Sequence, residues 1–221
     1  MQEICATRTL AQRFNVILND HSAESVAKLR RVIVNIRNAK YVKTLVTSTA
    51  DAGEHEKTMD GHCFVFLDPW GWKGMNRENI NKMLQNPDCE IALLFSFNQF
   101  NRFMNFDKID GLFDDLFSES TMCEIREFCA TNPKYKKEKF VLTKFIDTIC
   151  GGIPDCYCLP FKFKIAISLK TSHYMIFIVR SKRRYRALQK ELKQFANFPD
   201  EDALCFAPKY TGGNAPLELF Q

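Results

Sequence analysis

No stretch of the sequence approaches the about 20 consecutive apolar residues that a membrane-spanning helix needs. Apolar runs such as 63–67 and 175–179 are far shorter, and residues 1–15 lack the pattern of a secretory leader. The expectation is a cytoplasmic protein without membrane contact. Internal repeats, low-complexity tracts and Ser/Gly-rich linkers are also missing, which excludes collagen-like and solenoid architectures and gives no sign of a second domain. Glycine and proline are sparse, 9 and 8 in 221 residues, whereas 46% of residues are hydrophobic and 26% charged, the balance of a chain that buries a substantial core.

The nine cysteines do not form a recognisable framework. Their number is odd, they are scattered through apolar segments, and no pair has C-x-x-C spacing. The closest approach is Cys156-x-Cys158, which a strand would place on one face, so reduced core thiols are expected and no metal. His21, His55, His62 and His173 are too dispersed for a metal site. Neither a Ser/His/Asp pattern nor a phosphate-binding P-loop is present, which disfavours hydrolysis and nucleoside triphosphate chemistry.

Charge is uneven. The formal net charge is +5, yet residues 134–193 hold 15 Lys/Arg against 4 Asp/Glu. Within them, Arg180, Lys182, Arg183, Arg184 and Arg186 place five cations in seven residues, between a strand and a helix. Guanidinium groups bind phosphate oxygens bidentately, so nucleic-acid contact is one explanation and a solvated helix start the other. Cations are unfavourable beside a helix N-terminus, so helix stability does not explain them.

Apolar periodicity sets out alternating elements. Residues 13–18 read as a short strand, followed by Asp20 and Ser22 as candidate caps and by Val26, Leu29, Ile33 and Ile36 at helical spacing. Residues 41–48 and the wholly apolar 62–67 read as strands separated by the Ala50-Asp51-Ala52-Gly53 loop. Asn76 can cap a helix bearing Ile80, Met83 and Leu84, which Asn86-Pro87 stops before an apolar strand at 90–97. Strands buried on both faces imply a parallel sheet covered by helices. Residues 98–150 read as mainly helical. Segments 156–169 and 173–179 predict an antiparallel hairpin, and 183–196 a helix burying Tyr185, Leu188, Leu192 and Phe195. The expected architecture is one α/β domain over residues 1–197, with an irregular tail over 198–221.

Ligands of open α/β sheets sit beyond the carboxyl ends of the strands. Asp20, beside Asn19, falls there after the first strand, Asp51 after the second and Asp68 after the third. Such acids can bind ribose hydroxyls or an adenine amine, which suits an adenosyl cofactor held by Asn19, Asp20 and Asp51. Asp20 is equally explained as a helix cap, and Asp51 as a loop residue beside Gly53. In Phe64-Val65-Phe66-Leu67-Asp68-Pro69-Trp70-Gly71-Trp72-Lys73-Gly74, a buried strand ends in a carboxylate, a fixed-φ proline, two tryptophans and two glycines. Asp68 and the Pro69 carbonyl could orient an exocyclic amine for methylation, while Trp70 or Trp72 stacks on a base; a tight turn with packing tryptophans is the alternative.

The string FVFLDPWGWKG, followed by a helix and EIALLFSFNQFNRFM, resembles the fourth- and fifth-strand region of class I S-adenosylmethionine-dependent methyltransferases, and more narrowly the three-Cys-motif partner protein family. The later CYCLPFKFKIA and SHYMIFIVRSKRRYRALQKEL resemble that family's terminal hairpin and helix. Asp68 and Pro69 match the family's acid-proline pair, and Trp70-Gly71 its aromatic-glycine, but not the Asp-Pro-Pro-aromatic of DNA amino-methyltransferases. Asn98 and Asn101-Arg102-Phe103 match the pattern after strand five, where they would hold substrate. Helix capping is favoured for Asn98, and Arg102 is open between substrate and a carboxylate.

The resemblance implies a Rossmann-like, mostly parallel sheet with a C-terminal antiparallel hairpin. It also implies S-adenosylmethionine as cofactor and a partner protein of a two-gene system. Nucleic acid is the partner expected from the basic run, where Lys182, Arg183, Arg184 and Arg186 would contact it. Members of this fold bind the methionine end of the cofactor with a Gly-rich turn after a central first strand. No glycine precedes residue 53 here, so that strand has no counterpart and cofactor affinity is expected to be poor. Two outcomes fit: a truncated methyltransferase, in which residues 13–18 pair with 62–67 to close the gap or a longer chain supplies it, and a catalytically silent binding module.

Overall fold

The computed structural model describes residues 1–20, 22–48, 61–68, 76–104, 113 and 115–208. The chain divides into two compact units, Met1–Thr58 and Met59–Gln221, where the sequence predicted one domain over 1–197. No Pro/Gly/Ser-rich linker marks the boundary, which is why composition did not reveal it. Both units are mixed α/β with open sheets.

In the first unit, α1 (Arg8–Ala11) starts at Thr7, whose hydroxyl accepts from the Leu10 amide at 3.1 Å. Strands β1 (Asn15–Asn19) and β2 (Thr44–Ser48) pair in parallel, Asn15 opposite Thr44 and Asn19 opposite Ser48. Parallel strands need a crossover, and α2 (Ala23–Ile33) supplies it. Ser22 caps α2, its Oγ accepting from the Ser25 amide at 3.2 Å. Asp20 Oδ1 instead accepts from the Ser22 amide at 2.8 Å and shapes the turn into the helix. Cys5, Ala11, Val16, Ile33, Ala39 and Val42 form the buried core of this unit.

In the second unit, β3 (Cys63–Leu67) and β4 (Cys89–Phe95) pair in parallel, with α3 (Arg77–Gln85) as the crossover. Asn76 caps α3 as its position suggested, its Oδ1 accepting from the Glu78 amide at 2.6 Å. Helices α4 (Phe97–Phe103), α5 (Glu119–Thr131) and α6 (Lys134–Cys150) lead to an antiparallel hairpin of β5 (Tyr157–Lys164) and β6 (Thr171–Val179). Strand β6 inserts between β4 and β5, and β7 (Leu204–Phe206) adds in parallel beyond β5, giving the order β3-β4-β6-β5-β7.

The strand pleat sorts the side chains. Ile91, Leu93 and Phe95 face the same way as their partners Ile178, Ile176 and Tyr174, and α6 covers them, with the Phe145 ring 4.9 Å from Phe95. Helix α7 (Lys182–Lys193) lies on the opposite face of the hairpin, Tyr185 against Tyr157 at 5.6 Å. Among the described residues, no helix is long and apolar enough to cross a membrane.

Several expectations are corrected. Strand β5 stops at Lys164 instead of continuing to Leu169, because the register shifts after Phe163 and Leu169 takes a left-handed φ of 50°. Ile165, Ile167 and Leu169, whose alternation imitated a strand, are exposed in the turn. The tail predicted to be irregular from residue 198 contains β7, and Phe198 bridges Cys205. Strand β3, predicted to be buried on both faces, exposes Phe64 and Phe66. Among the described residues β1 pairs with β2 and β3 with β4.

Phe145 is fully buried, and Phe145→Ala is expected to cost about 3–5 kcal/mol of stability as a lowered urea midpoint. The same truncation at exposed Phe64 should stay within about 0.5 kcal/mol.

Candidate functional site

Strands β3 and β4 run one way and β6 the other, so the carboxyl ends of β3 and β4 meet the start of β6 at one rim. Asp68 follows Leu67 there. His173 belongs to the same rim, because the next residue of β6, Tyr174, faces Phe95 at the end of β4. The His173 ring stacks on Phe163 of β5, 4.7 Å between centroids and 18° between planes, and its Nδ1 lies 3.0 Å from Ser172 Oγ. Its Nε2 is buried with no hydrogen-bond partner among the described residues.

Burial holds the His173 pKa below its ordinary value, and the Asp68 carboxylate partly opposes this by pulling it upward. The imidazole is therefore neutral near pH 7, with one ring nitrogen lacking a partner among the described residues. Leaving a buried polar atom unpaired costs about 1–3 kcal/mol, so the atom marks a place where a ligand would improve the hydrogen bonding. Pro69, Trp70 and Trp72 lie outside the described residues, as does Asp51.

Asn98 does not cap the helix after β4. Ser96 does, its Oγ accepting from the Gln99 amide at 3.4 Å. Asn98 Nδ2 instead donates to the Thr171 carbonyl at 2.7 Å, and Lys134 Nζ donates to Asn98 Oδ1 at 3.2 Å. The side chain thus ties the start of β6 to α4 and α6. Arg102 is exposed, its guanidinium 5.4 Å from the Phe103 ring centroid.

Behind this rim, on the α6 side, lies a polar network. Buried Lys162 donates to both carboxylate oxygens of Asp200 at 2.8 Å and lies 3.8 Å from Glu138 Oε1. Glu138 also accepts from the Tyr174 hydroxyl and, at 2.7 Å, from Thr171 Oγ1. Burial alone would raise the Asp200 pKa, but the Lys162 hydrogen bonds, the Asp202 amide and the charges of Lys162 and Lys164 outweigh it and hold the carboxyl below its ordinary value. Burial and the Glu138 charge push the Tyr174 phenol well up, which keeps it a neutral donor. Every charge here is partnered, so the network reads as the support of the rim.

The basic run lies at the other end of the sheet. Strand β6 finishes beside the amino end of β4, Ile178 facing Ile91, and α7 begins directly afterwards. A nine-residue strand spans about 26 Å from one rim to the other. Arg184 is consumed by the fold: it bonds Asp88 Oδ1, lies 3.0 Å from His62 Nδ1 and 3.5 Å from Glu90 Oε1, and donates to the Pro87 carbonyl at 3.3 Å. Lys182, Arg183 and Arg186 are exposed. With 100° per helical residue they share an arc of about 100° with Lys190 and Lys193, away from the Tyr185 and Leu188 side.

In the first unit, Asn19 and Asp20 stand at the carboxyl end of β1. A cavity of about 650 Å³ in this unit is lined by residues 33–41 and Leu45, at the amino end of β2 and not beside the acids. Sequence reasoning missed His173, because four scattered histidines suggested no cluster. It also missed Lys162, whose signal was a charge on the face that Cys158 and Pro160 share.

Lys162→Ala would leave Asp200 and Glu138 without their buried cation, and should destabilise the protein by about 3–5 kcal/mol in urea unfolding, with Asp200→Asn in the same chain recovering part of the loss. Because the Asp200 pKa is lowered by folding, its stabilising share is complete above its unfolded pKa near about 4 and fades as the pH falls through the lowered value. Set against known proteins, the chain matches no family model, no curated protein and no solved structure.

Proposed function

We propose that this chain is an S-adenosylmethionine-dependent methyltransferase-like protein of the three-Cys-motif partner type, acting on or with nucleic acid. The observation that supports it most is the strand pattern of the second unit. Two parallel strands are followed by an antiparallel hairpin whose later arm inserts beside the second of them, and Asp68 stands at the carboxyl end of the first. A mostly parallel sheet with a C-terminal antiparallel hairpin is what the resemblance implies, and open α/β sheets bind ligands at this rim.

On this proposal Asp68 accepts a hydrogen bond from the acceptor's amine and aims its lone pair, a positioning role. The neutral Nε2 of His173, buried and without a partner among the described residues, accepts the proton that the amine sheds on methylation. S-adenosylmethionine, when bound, supplies the electrophilic methyl group. Asn19, Asp20 and Asp51 are assigned the adenosine end; Asp20 spends one oxygen on the Ser22 amide and keeps a second for a ribose hydroxyl. Pro69, Trp70, Trp72 and Arg102 are assigned to the acceptor; Asn98, bound to the Thr171 carbonyl and Lys134, is withdrawn from that role.

Lys182, Arg183 and Arg186 hold nucleic acid by its phosphates; Arg184, bound to Asp88, is withdrawn from that role. The cation arc lies far from Asp68, so it fixes the polyanion and takes no part in the transfer. This arc also favours a second function, a binding module without catalysis, because phosphate contact needs no cofactor.

Calorimetry with S-adenosylmethionine separates the two. The methyltransferase requires saturable binding that weakens roughly tenfold or more in Asp20→Ala, and methyl transfer to RNA or DNA that Asp68→Ala abolishes. Absent cofactor binding with retained nucleic-acid affinity leaves the binding module. In either event, reversing the charges of Lys182, Arg183 and Arg186 should flatten the salt dependence of nucleic-acid binding by about three log-log units. An unchanged slope removes the nucleic-acid assignment.

A further inference from the structure

Cys150 ends α6, and Cys156 and Cys158 stand at the start of β5. Between them the chain reverses through a turn that few sequences permit. The Gly151 amide donates to the Asp147 carbonyl at 2.8 Å, and a Cβ at position 151 would lie 2.4 Å from that same oxygen, so only glycine fits. Gly152 and Asp155 take left-handed φ values of 84° and 54°. Arg180 holds the turn from β6, donating through Nε to the Pro154 carbonyl at 3.0 Å.

The turn gathers three sulfurs. Cys150 Sγ is 2.9 Å from Cys156 Sγ and 3.2 Å from Cys158 Sγ. A disulfide bond is about 2.05 Å long, so either pair closes by a shift of roughly 1 Å at the sulfurs. All three residues are partly exposed, which leaves a path for a small oxidant. Among the described residues no group of three metal-binding side chains has metal-site geometry, so the cluster does not read as a zinc centre.

We propose that Cys150, Cys156 and Cys158 form a thiol–disulfide exchange site in which Cys150 is the common partner, bonded to Cys156 or, after exchange, to Cys158. The oxidant is a small disulfide such as oxidised glutathione. The Cys150 thiolate attacks one glutathione sulfur, forming a mixed disulfide and releasing the first glutathione thiolate. The Cys156 thiolate then attacks the Cys150 sulfur and releases the second. The protein loses two electrons and two protons, glutathione disulfide takes up both, and two glutathione thiols result. Attack by Cys158 on the Cys150 sulfur transfers the bond and frees Cys156.

The local electrostatics set the speed. The Cys156 thiol stabilises the Cys150 thiolate, but the Cys158 contact, burial and the Asp147 charge outweigh it and push the Cys150 pKa up to about 12. The hydrogen bond to Cys150 and burial raise Cys156 as well. Both are neutral thiols near pH 7, so oxidation is slow there and should accelerate about tenfold per pH unit on alkalinisation. This site is independent of the function proposed above.

The three cysteines fall in one tryptic peptide, from Phe145 to Lys162, which makes the test direct. Full-length protein is incubated with glutathione disulfide, alkylated and digested. The expected peptide takes up one alkyl group in place of three, and has lost two hydrogens. Cys156→Ser should keep a disulfide, now from Cys150 to Cys158, while Cys150→Ser should form one at least roughly tenfold more slowly. Three alkyl groups after prolonged oxidation would overturn the proposal, as would equal disulfide formation in Cys150→Ser. So would zinc retained stoichiometrically by the native protein and lost in Cys150→Ser.

Discussion

Strand β6 runs against both of its neighbours in the middle of the second unit's sheet, and most of what is described here follows from that. An antiparallel strand inserted between β4 and β5 carries its first residues to the carboxyl end of β4 and its last to the amino end. Its start supplies His173 and Tyr174 to the rim that Asp68 occupies. Its finish delivers α7 and the basic run to the opposite rim. Its apolar residues Tyr174, Ile176 and Ile178 are held by Phe95, Leu93 and Ile91, and α6 closes over them. Burial of this kind contributes about 25 cal/mol per Å² of apolar surface, so the strand's position is fixed by packing and not by the polar groups at its ends.

The polar groups then specialise. On the α6 face, Lys162, Asp200, Glu138 and Tyr174 satisfy one another, which is how charged groups are tolerated in a part-buried place. On the other face, His173 keeps a nitrogen with no partner among the described residues, its ring stacked on Phe163 and shifted toward neutrality. The contrast separates the support of the rim from a buried nitrogen that has no partner among the described residues. Arg184 and its neighbours divide in the same way, since one guanidinium is bound within the fold while Lys182, Arg183 and Arg186 face solvent.

Much of the element order was legible in the sequence, because the apolar runs near Cys63, Cys89 and Met175 are strong and the caps at Ser22 and Asn76 are local signals. The hairpin was legible in type but not in length, as the exposed Ile165, Ile167 and Leu169 continued a strand-like alternation past a left-handed turn. The two-unit division was hidden because no linker composition marks it. At the rim Asp68 was legible from the abrupt end of its strand, whereas His173 was not, since its significance depends on which strand it lies beside. Arg184 was misread for the same reason: a charge run discloses its sign, but its partners Asp88 and Glu90 are nearly a hundred residues away in sequence.

The placement of Asp68 and His173 on one rim is tested most directly by titrating the His173 ring by NMR in the native protein and in Asp68→Asn. The titration should occur below the ordinary 6.5 of histidine in the native protein, and lower still once the Asp68 charge is removed. An identical midpoint in the two proteins would mean that the carboxylate and the imidazole do not share a site.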